Sequence, residues 1–175
     1  MQPTKREVEP IESRRLRIRL IEPDDLPITR AWRNQPHVRE WFFDDRAVST
    51  ADHQDWFDRY LLRDDDFVFV LEERATAERV GQISLFDIDW PQAIGEYGRL
   101  IIEDRHRARG FAVEATRCLM AEVFRDWELE TVAAHVYADN TPSLRVFSRC
   151  GFALVRTEDR ICRFEVTRGT LRRAE

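Results

Sequence analysis

The stretch Arg105-His106-Arg107-Ala108-Arg109-Gly110-Phe111-Ala112 follows the apolar run Leu100-Ile101-Ile102 and leads into a segment with helical spacing. There Ala112, Ala115, Leu119, Val123 and Trp127 recur on one face, widened by Met120 and Phe124. The predicted order is a strand, a short basic turn with a single glycine, then a helix. A helix start carries unpaired N–H groups and a partial positive charge, which suits a phosphate. Gly110 lets the backbone approach such a group closely, and Arg105, Arg107 and Arg109 can add charge-assisted contacts. The bland alternative is a solvated basic turn that merely begins a helix. Two familiar phosphate loops do not apply: the chain has no GxxxxGK[ST] here, and one glycine cannot make GxGxxG.

The rest of the chain sets the frame. Its 175 residues, 43% of them hydrophobic, suffice for one domain with a full core. A net charge of −5 argues against general nucleic-acid binding, which needs clustered positive charge, yet leaves room for a local basic pocket. Cys118, Cys150 and Cys162 are odd in number and lack metal-type spacing, so they read as reduced, packing thiols. No apolar run reaches the length of a membrane span, and residues 1–13 are too charged for a signal peptide. A cytoplasmic location with no membrane partner is therefore expected.

Residues 1–13 are polar, contain two prolines and read as a flexible tail, with one domain over 14–170. Arg15–Ile21 alternates as a half-exposed strand. Helices are predicted over Asp24–Arg33, where Pro27 must fit the first turn or limit the regular part, and over Ala51–Leu62, capped by Ser49 or Thr50. Asp64-Asp65-Asp66 reads as a turn, since three adjacent carboxylates cannot all face one ion. Phe67–Leu71 and Val80–Ile88 are strands joined by a polar loop, and Gly95–Ile102 is the strand before the basic turn. Thr131–Val136 is a β-branched strand, a helix follows around Ser143, and Phe152–Val155 with Arg160–Val166 form a closing hairpin. The four histidines show no ligand spacing, so no metal site is expected, and His106 and His135 read as structural or phosphate-adjacent.

Two segments carry a family resemblance. Arg107-x-x-Gly110-x-Ala112 resembles the Q/R-x-x-G-x-G/A acyl-CoA signature of the GCN5-related N-acetyltransferases (GNAT). Asn140-Thr141-Pro142-Ser143-Leu144-Arg145-Val146-Phe147-Ser148-Arg149-Cys150-Gly151-Phe152 resembles that family's N-x-x-S/A-x-x-x-Y-x-x-x-G-F segment. The strand between them stands where the family order requires one. The resemblance implies an α/β single-domain GNAT fold. Its mixed, mostly antiparallel central sheet has about seven strands, splayed between strands 4 and 5, with about four helices. Gly98 is expected to mark the bulge that begins the splay. The resemblance also implies acetyl-CoA as acetyl donor. Its contacts would come from Leu100, Ile101 and Ile102, from Arg105, Arg107, Ala108, Arg109, Gly110, Phe111 and Ala112, and from Asn140 and Phe147.

Acetylating an amine requires that the ammonium lose a proton, that the oxyanion find a donor and that the thiolate leave. Glu96 matches a carboxylate many relatives use as base, and the alternative is a solvated strand-end carboxylate. Backbone N–H groups of residues 100–102 are the family's usual oxyanion donors. The tyrosine commonly used as general acid is replaced by Phe147, which has no proton to give. Ser143 is the substitute suggested by the ribosomal-protein acetylating branch. Thr141 and Pro142 equally make it an ordinary first-turn residue, and the thiolate can also leave unaided.

For the acceptor, Trp32-Arg33-Asn34, Arg39, Trp41, His53 and Trp56 resemble enzymes that acetylate the 4-amino group of a UDP-linked sugar in pseudaminic acid synthesis. Arg33 or Arg39 would pair with the diphosphate. The competing reading is that most of these aromatic residues pack helices together. Other acceptors consistent with the family are a protein N-terminus, as in the ribosomal-protein branch, and a small-molecule or antibiotic amine. A non-catalytic CoA-binding protein is the alternative of another class. A small-molecule amine is the expected partner, with the chain a monomer or homodimer.

Overall fold

Phe67, Phe69 and Leu71 turn to one face of their strand and Val68 and Val70 to the other, and all five are buried. A strand buried on both faces needs helices on both sides, and this one has them. The computed structural model describes residues 2–171. Its strands are β1 (Ile11–Glu12), β2 (Leu16–Leu20), β3 (Phe67–Glu73), β4 (Glu78–Asp89), β5 (Ile94–Ile102), β6 (Thr131–Tyr137), β7 (Ala153–Glu158) and β8 (Ile161–Thr167). They form one sheet in the order β1-β2-β3-β4-β5-β6-β8-β7, antiparallel except for the parallel β5–β6 pair. The helices are α1 (Leu26–Asn34), α2 (Pro36–Arg39), α3 (Thr50–Tyr60), α4 (Phe111–Arg125), α5 (Thr141–Arg149) and α6 (Arg168–Leu171).

One face of the sheet packs on α4 and α5 through Leu119, Met120, Val123, Val146 and Phe147. The other receives α1 and α3 through Leu26, Phe57 and Tyr60, with Trp32 and Val38 beside Ile101. The α/β single-domain expectation holds, with two differences of count. Among the described residues there are eight strands rather than about seven, because Ile11 and Glu12 pair with Ile18 and Arg17. The sheet therefore begins inside the stretch read as a tail. Ser13 adds a tie there, its hydroxyl donating to Glu114 of α4 at 2.7 Å. Six helices replace about four, because α2 and α6 are single turns too short to leave a periodic signal.

Half of the predicted loop of residues 72–79 is strand, since Glu72 pairs with Arg79 and Glu73 with Glu78, leaving a four-residue turn over 74–77. Pro27 falls in the first turn of α1, where its missing N–H is not needed. Asp25 stands fully buried just before this helix, and its carboxylate, which makes no cap bond to α1, holds Arg19 at 2.7 Å and Arg79 at 2.6 Å. Burial alone would raise its carboxyl pKa. The bonds from Arg19 and the Glu22 N–H outweigh that effect and hold it below the ordinary value. This buried cluster ties the start of α1 to β2 and β4 of the sheet.

Candidate active site

β5 and β6 pair over three positions only: Ile94 with Thr131, Gly95 with Val132 and Glu96 with Ala133. Beyond Glu96 both strands continue without pairing to each other, which opens a cleft between them. A bulge bends β5 at this point. Gly98 pairs with Ser84 and Ile101 with Gln82, so Arg99 and Leu100 together oppose Ile83. Arg99 takes the left-handed conformation, φ 51°. The extra residue reverses the facing of the strand: Tyr97 packs on the α4 side, whereas Ile101 packs on Trp32 and Val38. The bulge lies one residue after Gly98, whose own role is spatial, since a Cβ there would meet the Phe86 ring at 3.2 Å. Arg99 stacks over that ring at 4.1 Å and donates to buried Asp66 at 2.9 Å.

The basic turn ends the same strand. Ala108 and Gly110 both adopt positive φ, 59° and 83°, and Gly110 occupies the N-cap position of α4. Among the described residues, none of the six N–H groups from Ala108 to Val113 has an acceptor. They form an open array at the positive end of a helix of 15 residues. Arg15 braces this array. Its guanidinium donates to the Arg109 carbonyl at 2.9 Å and to Glu114 at 2.6 Å, and lies over the Phe111 ring.

The flanking arginines are less open than the backbone. Arg109 bonds Glu73 and, at 2.9 Å, His106 Nδ1. Arg105 holds Glu103 at 2.8 Å and Arg107 holds Asp104 at 3.0 Å, both as half-exposed pairs that can rearrange. Glu73, Glu78 and His106 lie close enough together to suggest a cation site. Arg109 already supplies the positive charge. By donating to Nδ1 it leaves the His106 proton on Nε2, the nitrogen a metal would need bare.

Glu96 stands at the last paired position before the cleft. One oxygen, Oε1, accepts from the backbone N–H of His135 at 2.9 Å and from His135 Nδ1 at 2.8 Å. The carboxylate thus takes the β6 N–H that the diverging backbone no longer reaches. Both residues lie on the α1–α3 face, because Tyr97, Ala134 and Val136, their chain neighbours, face α4. Ser84 shares this face, fully buried, with no partner for its hydroxyl among the described residues.

Across the cleft, buried Asn140 caps α5 by accepting from the Ser143 N–H at 3.2 Å. Ser143 itself is a first-turn residue behind Thr141 and Pro142. Phe147 is buried among Tyr97, Phe152 and Phe164, ring centroids 5.1–6.1 Å away. Tyr97 offers no substitute acid. Its hydroxyl bonds Thr116 at 2.6 Å, and burial pushes its pKa well above the usual tyrosine value.

Around α1, α2 and α3, the structure separates residues the sequence grouped. Trp32 is core, packed with Val38 and Ile101. Asn34 exchanges two 2.8 Å bonds with the Val48 backbone and holds the following loop. His53 meets Thr29 at 3.1 Å and stacks on Trp56, which stacks on Tyr60 in turn. Arg33 lies over Phe42 at 3.9 Å and bonds the Asp44 carbonyl, and burial lowers its pKa. Arg39 donates Nε to the Asp45 carbonyl at 2.8 Å, and its terminal nitrogens have no partner among the described residues. Trp41 reaches the end of β6, 6.5 Å from Tyr137, where exposed Phe43 makes an edge contact at 5.3 Å.

Sequence reasoning missed the Glu96–His135 pair, the Arg15 brace, and Phe43 with Tyr137. The alternation Val132, Ala134, Val136 did carry a signal, because it assigns His135 to the opposite face. The parallel register that brings Glu96 beside it left none.

Residues 15–153 match the model of the acetyltransferase (GNAT) domain. The spermidine N(1)-acetyltransferase of Vibrio cholerae serotype O1 (strain ATCC 39315 / El Tor Inaba N16961) is 22% identical over 137 residues, 78% of each chain. YokL of Bacillus subtilis (strain 168), an SPbeta prophage-derived uncharacterized N-acetyltransferase, is 28% identical over 138 residues, 78% of this chain and 75% of its own. Among solved structures, the V. cholerae spermidine N-acetyltransferase in complex with CoA and spermine aligns with a TM-score of 0.82 at 18% identity. That alignment covers 91% of this chain and 99% of the other. FdhC, a nucleotide-linked sugar GNAT in its apo form, also gives 0.82, at 15% identity over 94% and 93%. These structural likenesses establish the fold, and the family follows from a domain match across most of the sequence. The chain belongs to the GNAT acetyltransferases.

Proposed function

We propose that this N-acetyltransferase takes acetyl from acetyl-CoA and delivers it to a primary amine by direct attack in a ternary complex. The observation that carries this reading is the coincidence of three features at one cleft. They are the bare N–H array of residues 108–113, the parting of β5 from β6, and the Glu96 carboxylate at the point of parting. In this reading the array binds the pyrophosphate, and the freed β5 edge at Leu100–Ile102 supplies the oxyanion donor. Asn140 stands on the far wall, with Phe147 buried in the core behind the cleft surface. Glu96 belongs to the group that deprotonates the amine. With Phe147 buried and apolar, the thiolate leaves with a proton from Ser143 or from water.

The acceptor we favour is an amino sugar on a nucleotide diphosphate. Trp41, Phe43 and Tyr137 offer aromatic surface at the open end of β6, with Arg160 5.7 Å over the Tyr137 ring. Among the described residues the terminal nitrogens of Arg39 have no partner and could meet a phosphate, whereas Arg33 is committed to Phe42 and Asp44. A polyamine is the second reading, supported by the spermidine acetyltransferase relative. Thiol release from acetyl-CoA should be followed with a UDP-linked 4-amino sugar, spermidine and an unblocked peptide as acceptors. The favoured reading expects turnover of the sugar and inhibition by free UDP competitive with the acceptor. Turnover of spermidine or peptide with indifference to millimolar UDP would overturn the acceptor while leaving the transferase.

A further inference from the structure

We infer that the proton acceptor for the incoming amine is the imidazole Nε2 of His135, with Glu96 a positioning residue that fixes its tautomer. This rests on the transferase reading above and deepens its account of the base. A carboxylate can only accept, so the 2.8 Å contact to Glu96 Oε1 places a proton on Nδ1 of the neutral imidazole and leaves the Nε2 lone pair bare. Among the described residues Nε2 has no partner, and the ring is partly exposed. The same Oε1 also accepts the His135 backbone N–H at 2.9 Å, so carboxylate and ring are registered by two bonds to one oxygen. His135 lies two residues past Ala133, the last β6 residue paired to β5, and therefore on the wall of the cleft.

This is the orienting arrangement of a carboxylate–histidine base, in which the acid holds the ring and the far nitrogen does the proton transfer. An imidazole is also intrinsically better matched than a carboxylate to proton transfer near neutral pH. The nearest charged neighbours on the adjoining strand are Arg163, paired in register with His135, and Glu165. They neutralise each other at 2.7 Å.

The ammonium gives one proton to Nε2, and the amine lone pair forms the N–C bond at the thioester carbonyl. The tetrahedral adduct breaks its C–S bond, and the sulfur leaves with that electron pair. The adduct nitrogen loses its second proton, the thiolate acquires one, and the imidazolium returns its proton to solvent.

Three measurements test the assignment. In wild-type protein, long-range ¹H–¹⁵N spectra at high pH should show the His135 proton on Nδ1. This needs no variant, and a proton on Nε2 would overturn the proposal. His135→Gln should lower turnover by roughly 10²–10⁴-fold and abolish the acid limb of the pH profile, with CoA affinity unchanged. The backbone N–H still anchors Glu96 in that variant, so a merely structural ring would leave the limb in place. In His135→Ala, added imidazole should restore turnover at least tenfold. Turnover within threefold of wild type in His135→Gln, a retained acid limb, or no imidazole rescue in a folded, CoA-binding variant would each contradict the role. Wild-type protein that neither binds CoA nor releases thiol would instead sink the transferase reading, and the tautomer would still report on the pair.

Discussion

Around the turn before α4 the chain leaves backbone donors open, whereas around α1 and α2 its side-chain donors are largely spent on a neighbouring loop. Ala108 to Val113 present six N–H groups with no acceptor among the described residues. Asn34, Arg33 and Arg39, read from sequence as acceptor ligands, each bond a backbone carbonyl of the loop after α2. The difference comes from what each motif is made of. A glycine-and-helix motif works through backbone geometry, which local sequence determines. A motif of long side chains works through where those side chains end, and tertiary packing decides that. Backbone-mediated sites are therefore the more readable of the two.

The largest expected effect lies where the two regions meet. Glu96→Gln should lower turnover by roughly 10²–10⁴-fold with little change in CoA affinity, because it removes the charge at the cleft and leaves the donor array intact. Steady-state kinetics beside CoA calorimetry checks this, and equal activity would remove Glu96 from the mechanism. Next is Asp25→Asn, which leaves Arg19 and Arg79 facing a neutral group in a buried cluster. It should cost about 3 kcal/mol in denaturant unfolding. The same linkage gives a pH dependence. The folded carboxyl pKa is depressed, so this stabilisation is present above the ordinary carboxylate range and lost as pH falls through the folded value.

Asn34→Ala separates ligand from scaffold. Losing two 2.8 Å bonds to Val48 should cost on the order of 1–3 kcal/mol of stability while leaving the acceptor Michaelis constant nearly unchanged. A raised Michaelis constant at constant stability would return Asn34 to the substrate site. The smallest expected effect is Ser143→Ala. Its N–H, not its hydroxyl, makes the cap bond to Asn140. Turnover should fall no more than about threefold if the thiolate leaves unaided, and a larger loss in kcat would identify Ser143 as the acid.

Much of this fold was legible because its signals are short-range. The apolar stripe of α4, the Ser49 cap of α3 and the alternation in β2 each depend on residues within a turn or two. β1 escaped notice because two residues carry no period, and the longer β3–β4 hairpin because its arms end in charged residues. At the site, Gly110 and the strand–turn–helix order were read from sequence. Gly98 points to a bulge one residue short of Arg99, because glycine marks such sites only by frequency. Nothing local to Arg109 shows that Glu73, distant in sequence, will bond it. The Glu96–His135 contact likewise spans 39 residues and depends on a parallel register.

If the N–H groups around Gly110 hold the donor's pyrophosphate, titration calorimetry of CoA against wild type and Gly110→Val will show it directly. Gly110 sits at φ 83°, with the Arg15 guanidinium 3.4 Å from where a Cβ would stand. A β-branched residue there strains the turn by about 1–2 kcal/mol or more and crowds the approach of a phosphate. Wild type should bind CoA, with stabilisation of about 2.7 kcal/mol at 100 times the dissociation constant, and a folded Gly110→Val should bind at least tenfold more weakly. No binding by wild type, or wild-type affinity in the folded variant, would contradict it.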